Sequence, residues 1–291
     1  MKWEGQEGSD NVEDRRSQGG GGRMPMLGGR GIGVGTIVVA LLAGWIFGIN
    51  PLTVLSLLSG GGGPVSTQQA PAPHPPADDK QARFVATVLG FTEDVWREQF
   101  KQMGATYREP KLVLFRGSYP TACGQGQAAM GPFYCPADQK VYIDLNFFDT
   151  LDRQLGAPGD FAQAYVVAHE VGHHVQKQLG ITDKVDGMRG RVPEEQMNAL
   201  SVRLELQADC LAGVWANHAN KAKAWLEPGD VEEGLNAAAK IGDDTLQRQS
   251  QGVVVPESFT HGSSAQRVNW FKRGLSSGNM SQCNTFESRQ L

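Results

Sequence analysis

The chain is dominated by long segments in which apolar residues recur every three or four positions. Between residues 161 and 179 this spacing predicts a helix with one buried face, closed by Gly180. The same spacing predicts four further helices, over residues 92–103, 194–219, 231–249 and 264–273. Two short runs favour β-strands, residues 111–115 (KLVLF) and 141–145 (VYIDL). Several long helices with few strands predict an α-rich α+β domain.

The N-terminal quarter has a different composition. Residues 1–30 are rich in glycine and charge, which predicts disorder. Residues 31–58 carry no charge, and Ile32 to Ile49 would form a helix of about 27 Å, close to the thickness of a bilayer core. This predicts a single transmembrane helix. A core helix is rarely apolar on every face, and a signal peptide rarely begins after some thirty polar residues. Residues 59–79 form a Gly- and Pro-rich linker, and the soluble domain spans residues 80–291.

The distribution of Lys and Arg predicts an orientation for this span. Five such residues precede it and none follows before Lys80: Lys2, Arg15, Arg16, Arg23 and Arg30. The positive-inside rule therefore predicts a cytoplasmic N-terminus and a domain outside the membrane. The net charge of -4 and the absence of a long basic run give no reason to expect a nucleic-acid partner.

All four cysteines fall in the soluble domain, and an even number in an outward-facing domain suggests two disulfides. We predict Cys123 with Cys135 and Cys210 with Cys283, although four cysteines allow three connectivities. A cysteine-ligated metal site would be expected to contain a C-x-x-C spacing, which is missing here. Buried free thiols remain an alternative.

Residues 169–173 read HEVGH, an HExxH motif. Residues four apart share one face of a helix, so His169 and His173 can bind one metal ion. Glu170 would lie beside that ion and is suited to act as general base on a metal-activated water. The motif predicts one zinc ion per chain and a hydrolase. The alternative is a helix that happens to carry two histidines around a glutamate.

A catalytic zinc needs a third protein ligand. We assign Glu205, in the sequence ELQAD of the second long helix. Asp209, one turn later on the same face, would accept a hydrogen bond from a ligating histidine and fix its tautomer. The reverse assignment, with Asp209 on the metal, is the main competitor, and a pair of exposed acids is the simplest alternative.

These motifs resemble gluzincin-type metallopeptidases. The wider pattern is similar to the bacterial family of neutral zinc metallopeptidases, which are single-pass membrane proteins. The matching segments cover most of the chain and include CGQGQAAMGPFYCPADQKVYIDLNFF, HEVGHH, ELQADCLAG and SFTHGSSAQRVNWF. The resemblance implies a zincin-like fold with a small sheet before the HExxH helix. It also implies a bacterial inner-membrane location, and by analogy an edge of the strand at residues 141–145 open to an extended substrate.

A second group should stabilise the oxyanion that forms during hydrolysis. His261, in a loop just before a helix, is our candidate, although a capping or packing role is about equally compatible with its position. Tyr165 and Tyr134 are weaker candidates. His174 points roughly 100° around the helix from His173, so we do not expect it to reach the metal.

The leading hypothesis is a membrane-anchored zinc endopeptidase with peptide or protein substrates. One alternative is a non-catalytic protein that binds peptides or envelope partners around a structural zinc. Another is a zinc hydrolase that acts on cell-wall peptide amides. A glutamate beside an incomplete ligand set argues against the structural role, because a structural site normally closes with a fourth ligand.

Overall fold

The computed structural model describes residues 1–17, 73–127 and 131–291. These residues belong to one compact unit. The predicted span at residues 31–58 and residues 59–72 of the predicted linker lie outside the described residues. In the described ranges, no helix combines the length and the apolar character needed to cross a bilayer.

Helices and short strands together form an α-rich α+β architecture, as predicted. The α-helices are α1 (Lys80–Gln102), α2 (Asn146–Arg153), α3 (Asp160–Gln178), α4 (Ile181–Asp186), α5 (Glu194–Lys223), α6 (Asp230–Lys240), α7 (Asp243–Gln251) and α8 (Ser264–Ser277). The strands are β1 (Val12–Asp14), β2 (Lys111–Phe115), β3 (Ser118–Thr121), β4 (Gly124–Gln127), β5 (Phe133–Cys135) and β6 (Lys140–Asp144). In the described ranges, 3₁₀ turns cover Pro256–Ser258 and Met280–Cys283.

Four of the strands form a sheet in the order β1-β2-β6-β5, and β3 pairs with β4 in a separate hairpin. The strands β1, β2 and β6 run parallel, with Leu112 opposite Val141, whereas β5 is antiparallel to β6. The expectation that residues 141–145 offer a free edge is wrong for Val141 and Tyr142, because β2 pairs with β6 on one side there and β5 on the other. The edge near the helix that carries HExxH belongs to β5.

The prediction of disorder for residues 1–30 is wrong for residues 1–17. Their strand β1 pairs with β2, and Val12 is 2 % exposed. Trp3 is also buried, with its ring edge-on to Phe84 of α1 at a centroid distance of 5.2 Å. Burial of these side chains gives a short, polar segment enough apolar contact to fold. The compact unit therefore contains residues on both sides of the predicted span.

Two predicted helices differ most from the structure. The helix predicted from residue 92 begins at Lys80, because the Asp79 side chain accepts a hydrogen bond from Ala82 N at 3.0 Å and caps it. Thr92 lies inside this helix, where its hydroxyl donates to Leu89 O at 2.6 Å. The single helix predicted over residues 231–249 is divided into α6 and α7. At the division, Asp243 N–H donates to Gly262 O at 2.9 Å instead of continuing α6.

Two glycines allow the helices around the HExxH motif to pack closely. A Cβ atom on Gly172 of α3 would lie 3.1 Å from the carbonyl oxygen of Ala208 in α5. A Cβ atom on Gly274 of α8 would lie 1.9 Å from the carbonyl oxygen of Cys210, also in α5. Only glycine permits the second crossing. As a result α3 and α8 both lie against the same part of α5.

Both predicted disulfides are confirmed. Cys123 is bonded to Cys135 and joins the β3–β4 hairpin to the edge strand β5. Cys210 is bonded to Cys283 and joins α5 to the C-terminal 3₁₀ turn.

Candidate metal centre

The two histidines of HExxH and Glu205 converge at the contact between α3 and α5. The Nε2 atoms of His169 and His173 are 3.2 Å apart. The Glu205 carboxylate lies 3.1 Å from His169 Nε2 and 3.4 Å from His173 Nε2. The three side chains that the sequence predicts as metal ligands are thus brought together by two different helices.

These distances fit a zinc ion. Zinc binds imidazole nitrogen and carboxylate oxygen at about 2.0–2.2 Å in tetrahedral geometry, which separates neighbouring ligand atoms by about 3.4 Å. The separations of 3.1–3.4 Å measured here are close to that value. A second group of three acids among the described residues, Asp160, Asp230 and Glu233, has no nitrogen or sulfur donor.

Asp209 lies on the opposite side of the His169 ring from Glu205 and His173. Its Oδ1 is 2.8 Å from His169 Nδ1, so Nδ1–H donates to the carboxylate and Nε2 keeps its lone pair for a metal. Burial alone would lower the pKa of His169, but Asp209 and Glu205 outweigh it and raise that pKa to about 10. The carboxylates thus make the position between the ligands strongly attractive to a cation.

Arg267 of α8 is a part of the site that the sequence reasoning missed. Its Nε and Nη2 atoms each donate to the Asp209 carboxylate at 2.9 Å. Both side chains are almost fully buried, at 3 % and 0 % exposure. Burial opposes ionisation of Asp209, but Arg267 and then His169 hold its pKa near 2. Arg267 therefore keeps the Asp209 carboxylate ionised and fixed in position. That carboxylate in turn orients His169.

His173 is oriented by neutral groups instead. Its Nδ1 lies 2.9 Å from Gln176 Oε1, and the Gln176 amide nitrogen donates to Leu204 O and to Gln207 Oε1. Gln207 in turn donates to the carbonyl of Cys283 at 3.0 Å. This chain of amides links the second histidine to the disulfide-bonded C-terminal turn. No motif in the sequence indicated it, because glutamines have no characteristic spacing at metal sites.

His261 lies in the loop before α8, where the Asp243 carboxylate organises the backbone. Asp243 accepts from the backbone N–H of His261 at 2.6 Å and lies 3.2 Å from its Nδ1. The side-chain hydrogen bond with Asp243 raises the pKa of His261 and outweighs the opposing effect of burial. The negative charge of Glu205 raises this pKa further. The neighbouring Gly262 packs against Leu206 of α5, so the loop lies beside the helix that carries Glu205. The His261 side chain is half-exposed.

The weaker oxyanion candidates are engaged elsewhere. The Tyr165 hydroxyl donates to Asp209 and is fully buried. The Tyr134 hydroxyl is 3.0 Å from His174 Nδ1, while His174 Nε2 is 2.6 Å from the carbonyl of Arg108. Both nitrogens of His174 therefore bind protein groups away from the metal ligands, as expected. Burial lowers the pKa of His174 to about 4, which keeps the ring neutral.

The chain is similar to known proteins over most of its length. Residues 1–286 match a family model described as "Putative neutral zinc metallopeptidase". The protein YpfJ of Escherichia coli (strain K12) is 53 % identical over 293 aligned positions, which cover 98 % of this chain and 99 % of that protein. The protein Rv2575 of Mycobacterium tuberculosis (strain H37Rv) is 43 % identical over 72 % of each chain. Both relatives are described as uncharacterized, and no solved structure matches the chain.

Proposed function

Because this chain belongs to the zinc metallopeptidase family whose model it matches over residues 1–286, we propose that it is a zinc-dependent endopeptidase attached to a membrane. The family supports a hydrolase in general. The finer proposal is that one zinc ion is held by His169, His173 and Glu205, and that Glu170 is the general base. The bilayer attachment is proposed from the apolar composition of residues 31–58 alone.

The observation that carries the proposal is the arrangement of the ligand atoms and of the groups behind them. Three donor atoms from α3 and α5 have the separations of a tetrahedral zinc site. Asp209 and Gln176 accept hydrogen bonds from the Nδ1 atoms of the two histidines, so both Nε2 atoms face the common position. Three protein ligands leave a fourth position for water, as in catalytic rather than structural zinc sites.

When bound, zinc would supply Lewis-acid polarisation of the attacking water and of the substrate carbonyl. Glu170, next to His169 and only 7 % exposed, would take the proton from that water and pass it to the leaving amine. His261 would donate from Nε2 to the developing oxyanion, with its Nδ1–H held by Asp243. Asp209 and Arg267 would keep His169 in its ligating orientation throughout.

The substrate is proposed to be an extended peptide. The edge strand β5 lies beside α3, because Tyr134 of β5 contacts His174 of α3. An extended chain can add to a free strand edge through main-chain hydrogen bonds, which recognises peptides with little dependence on side chains. The edge of β5 is therefore the proposed docking position.

We propose an oxidising, extracytoplasmic compartment for the domain. Two disulfides are present, and all four cysteines of the chain take part in them. Disulfides persist in oxidising compartments and are rare in the cytosol.

The test is the zinc content and peptide-hydrolysing activity of the full chain, compared with Glu170→Gln and with Glu98→Gln, an exposed glutamate on α1. Glu170→Gln should retain zinc, and its rate of hydrolysis should be lower than that of wild type by a factor of about 10²–10⁴. Glu98→Gln should resemble wild type in both measurements. If the chain binds zinc but shows no hydrolysis that Glu170→Gln abolishes, the proposed enzymatic activity would be contradicted. That result would favour a structural zinc. Cleavage of cell-wall peptides but not of protein substrates would favour the amide-hydrolase alternative.

A further inference from the structure

The first seventeen residues are held on the domain by polar as well as apolar contacts. Glu93 of α1, itself 4 % exposed, accepts hydrogen bonds from Ser9 Oγ at 2.6 Å and from Asn11 Nδ2 at 2.8 Å. The backbone of β1 pairs with β2 at three successive positions, Val12 to Asp14. These partners, α1 and β2, both follow the apolar segment in sequence. Residues 1–17 are thus part of the same sheet and core as the residues that follow the apolar segment 31–58.

The described residues just before and just after residues 18–72 are bonded to each other. The backbone N–H of Asp14 donates to the carbonyl of Pro73 at 2.9 Å. The Arg16 guanidinium binds the carboxylates of Asp14 and of Asp79, each at 2.6 Å. Asp79 is also the N-cap of α1. Residues 14–16 and residues 73–79 are therefore neighbours in the fold.

Two of the five basic residues that predict a crossing, Arg15 and Arg16, form ion pairs within the folded domain. Arg15 is 5 % exposed and lies 3.8 Å from the Glu13 carboxylate. Arg16 is 13 % exposed in its side chain and forms the two ion pairs just described. The positive-inside rule concerns Lys and Arg close to the membrane surface. Arginines buried in a folded unit are poor evidence for the side on which the N-terminus lies.

We propose that residues 1–17 and residues 73–291 lie on the same side of the membrane, so that the chain between them makes no single crossing. A single crossing would put about 30 Å of hydrocarbon between β1 and β2, whereas paired strands lie about 4.8 Å apart. The sheet, the Glu93 contacts and the Arg16 ion pairs exclude that separation. This inference does not depend on peptidase activity.

The test uses single cysteines in the full-length chain. The native cysteines are paired, so an added thiol is the reactive one. Three exposed positions report on the two ends and on the domain: Ser17→Cys, Ala77→Cys and Ser276→Cys. Each variant is treated in intact spheroplasts, and again after permeabilisation, with a maleimide that cannot cross membranes.

We expect all three thiols to react to the same extent in intact spheroplasts, with less than a twofold gain on permeabilisation. Ser17→Cys that reacts only after permeabilisation, while Ala77→Cys and Ser276→Cys react before it, would overturn the proposal. If all three react only after permeabilisation, the shared side stands and the extracytoplasmic compartment proposed above fails.

A second measurement covers the case in which labelling is perturbed by misfolding. Ser9→Cys combined with Glu93→Cys replaces a pair whose side-chain oxygens are 2.6 Å apart. In membranes, a short bismaleimide should join these two thiols, and the N-terminal fragment should stay attached to the domain after a protease cuts a site inserted between Gly61 and Gly62. Ser17→Cys with Glu93→Cys is the matched control. Release of the N-terminal fragment from the Ser9–Glu93 pair, as from the control, would contradict the shared side.

Discussion

Replacing Arg267 by methionine tests whether the proposed zinc ligands depend on a residue outside the proposed ligand set. Arg267 donates two hydrogen bonds of 2.9 Å to Asp209, and neither side chain is more than 3 % exposed. Methionine keeps much of the side-chain volume and removes the charge. Asp209 would then be a buried carboxylate with Tyr165 and His169 as its remaining partners.

The size of the effect follows from this burial. Removing one member of a buried ion pair costs about 3–5 kcal/mol, and we expect the lower end because two partners of Asp209 remain. Without zinc, the raised pKa of His169 keeps its ring protonated, so it can partly replace the lost charge. With zinc bound, His169 must be neutral to ligate. Arg267→Met should therefore weaken zinc binding as well, by about 10–100-fold.

The assay is urea unfolding in a chelator and again in a zinc buffer, for wild type, Arg267→Met, Asp209→Asn and the double variant. The loss in Arg267→Met should be larger in zinc than in the chelator. The losses of unfolding free energy in the two single variants, added together, should exceed the loss in the double variant by at least about 1 kcal/mol. The reason is that each single substitution already breaks the same ion pair. Arg273→Met, an exposed arginine of α8, should change stability by no more than about 0.5 kcal/mol.

Two results would refute this reasoning. The first is additivity of the Arg267→Met and Asp209→Asn losses within about 0.5 kcal/mol, which would mean that the pair is not coupled. The second is an unchanged zinc affinity in Arg267→Met, measured by competition with a chelating dye. In that case the orientation of His169 would not depend on Arg267.

Three further predictions concern the site and its surroundings. Glu205→Ala should lose its zinc on dialysis while remaining folded by circular dichroism, and zinc retention near the wild-type level would eliminate Glu205 as a ligand. His261→Asn should lower kcat by about 10²–10³ with its zinc content unchanged; an unaltered kcat would leave His261 a packing role only. His174 has a folded pKa of about 4 against about 6.5 when unfolded, so it stabilises the fold above pH 6.5 and loses this contribution as the pH falls towards 4. The difference in unfolding free energy between wild type and His174→Gln, measured in urea, should shrink over that interval, and a constant difference would contradict it.

The cluster of proposed metal ligands could be predicted because its geometry is local. A spacing of four residues places His169 and His173 on one helix face whatever the remainder of the fold does. Glu205 and Asp209 could be assigned for the same reason, one turn apart within a helix whose apolar spacing was clear. The helix that carries HExxH was predicted to within a residue at each end, since its buried face is long and continuous.

Interactions between distant parts of the chain could not be predicted in this way. The strand β1 is a three-residue stretch, VED, and it becomes a strand only because β2 lies beside it, about a hundred residues later. Arg267 was overlooked because arginine is usually exposed, and its partner Asp209 is 58 residues away. The free edge of the sheet was assigned to β6 rather than to β5, because a three-residue strand such as β5 leaves almost no periodic signal in the sequence.

The charge balance explains why the two histidines are supported so differently. Asp209 and Arg267 cancel each other, so behind His169 the site gains a strong hydrogen-bond acceptor without net charge. Behind His173, the neutral amide of Gln176 does the same. The charges that would offset the proposed zinc ion are then those of Glu205 and Glu170, and the buried centre would be neutral with zinc bound. A second uncompensated carboxylate behind His173 would make it anionic and expensive to bury. Gln176→Glu should therefore destabilise the zinc-bound protein relative to Gln176→Ala, although glutamate is the better acceptor.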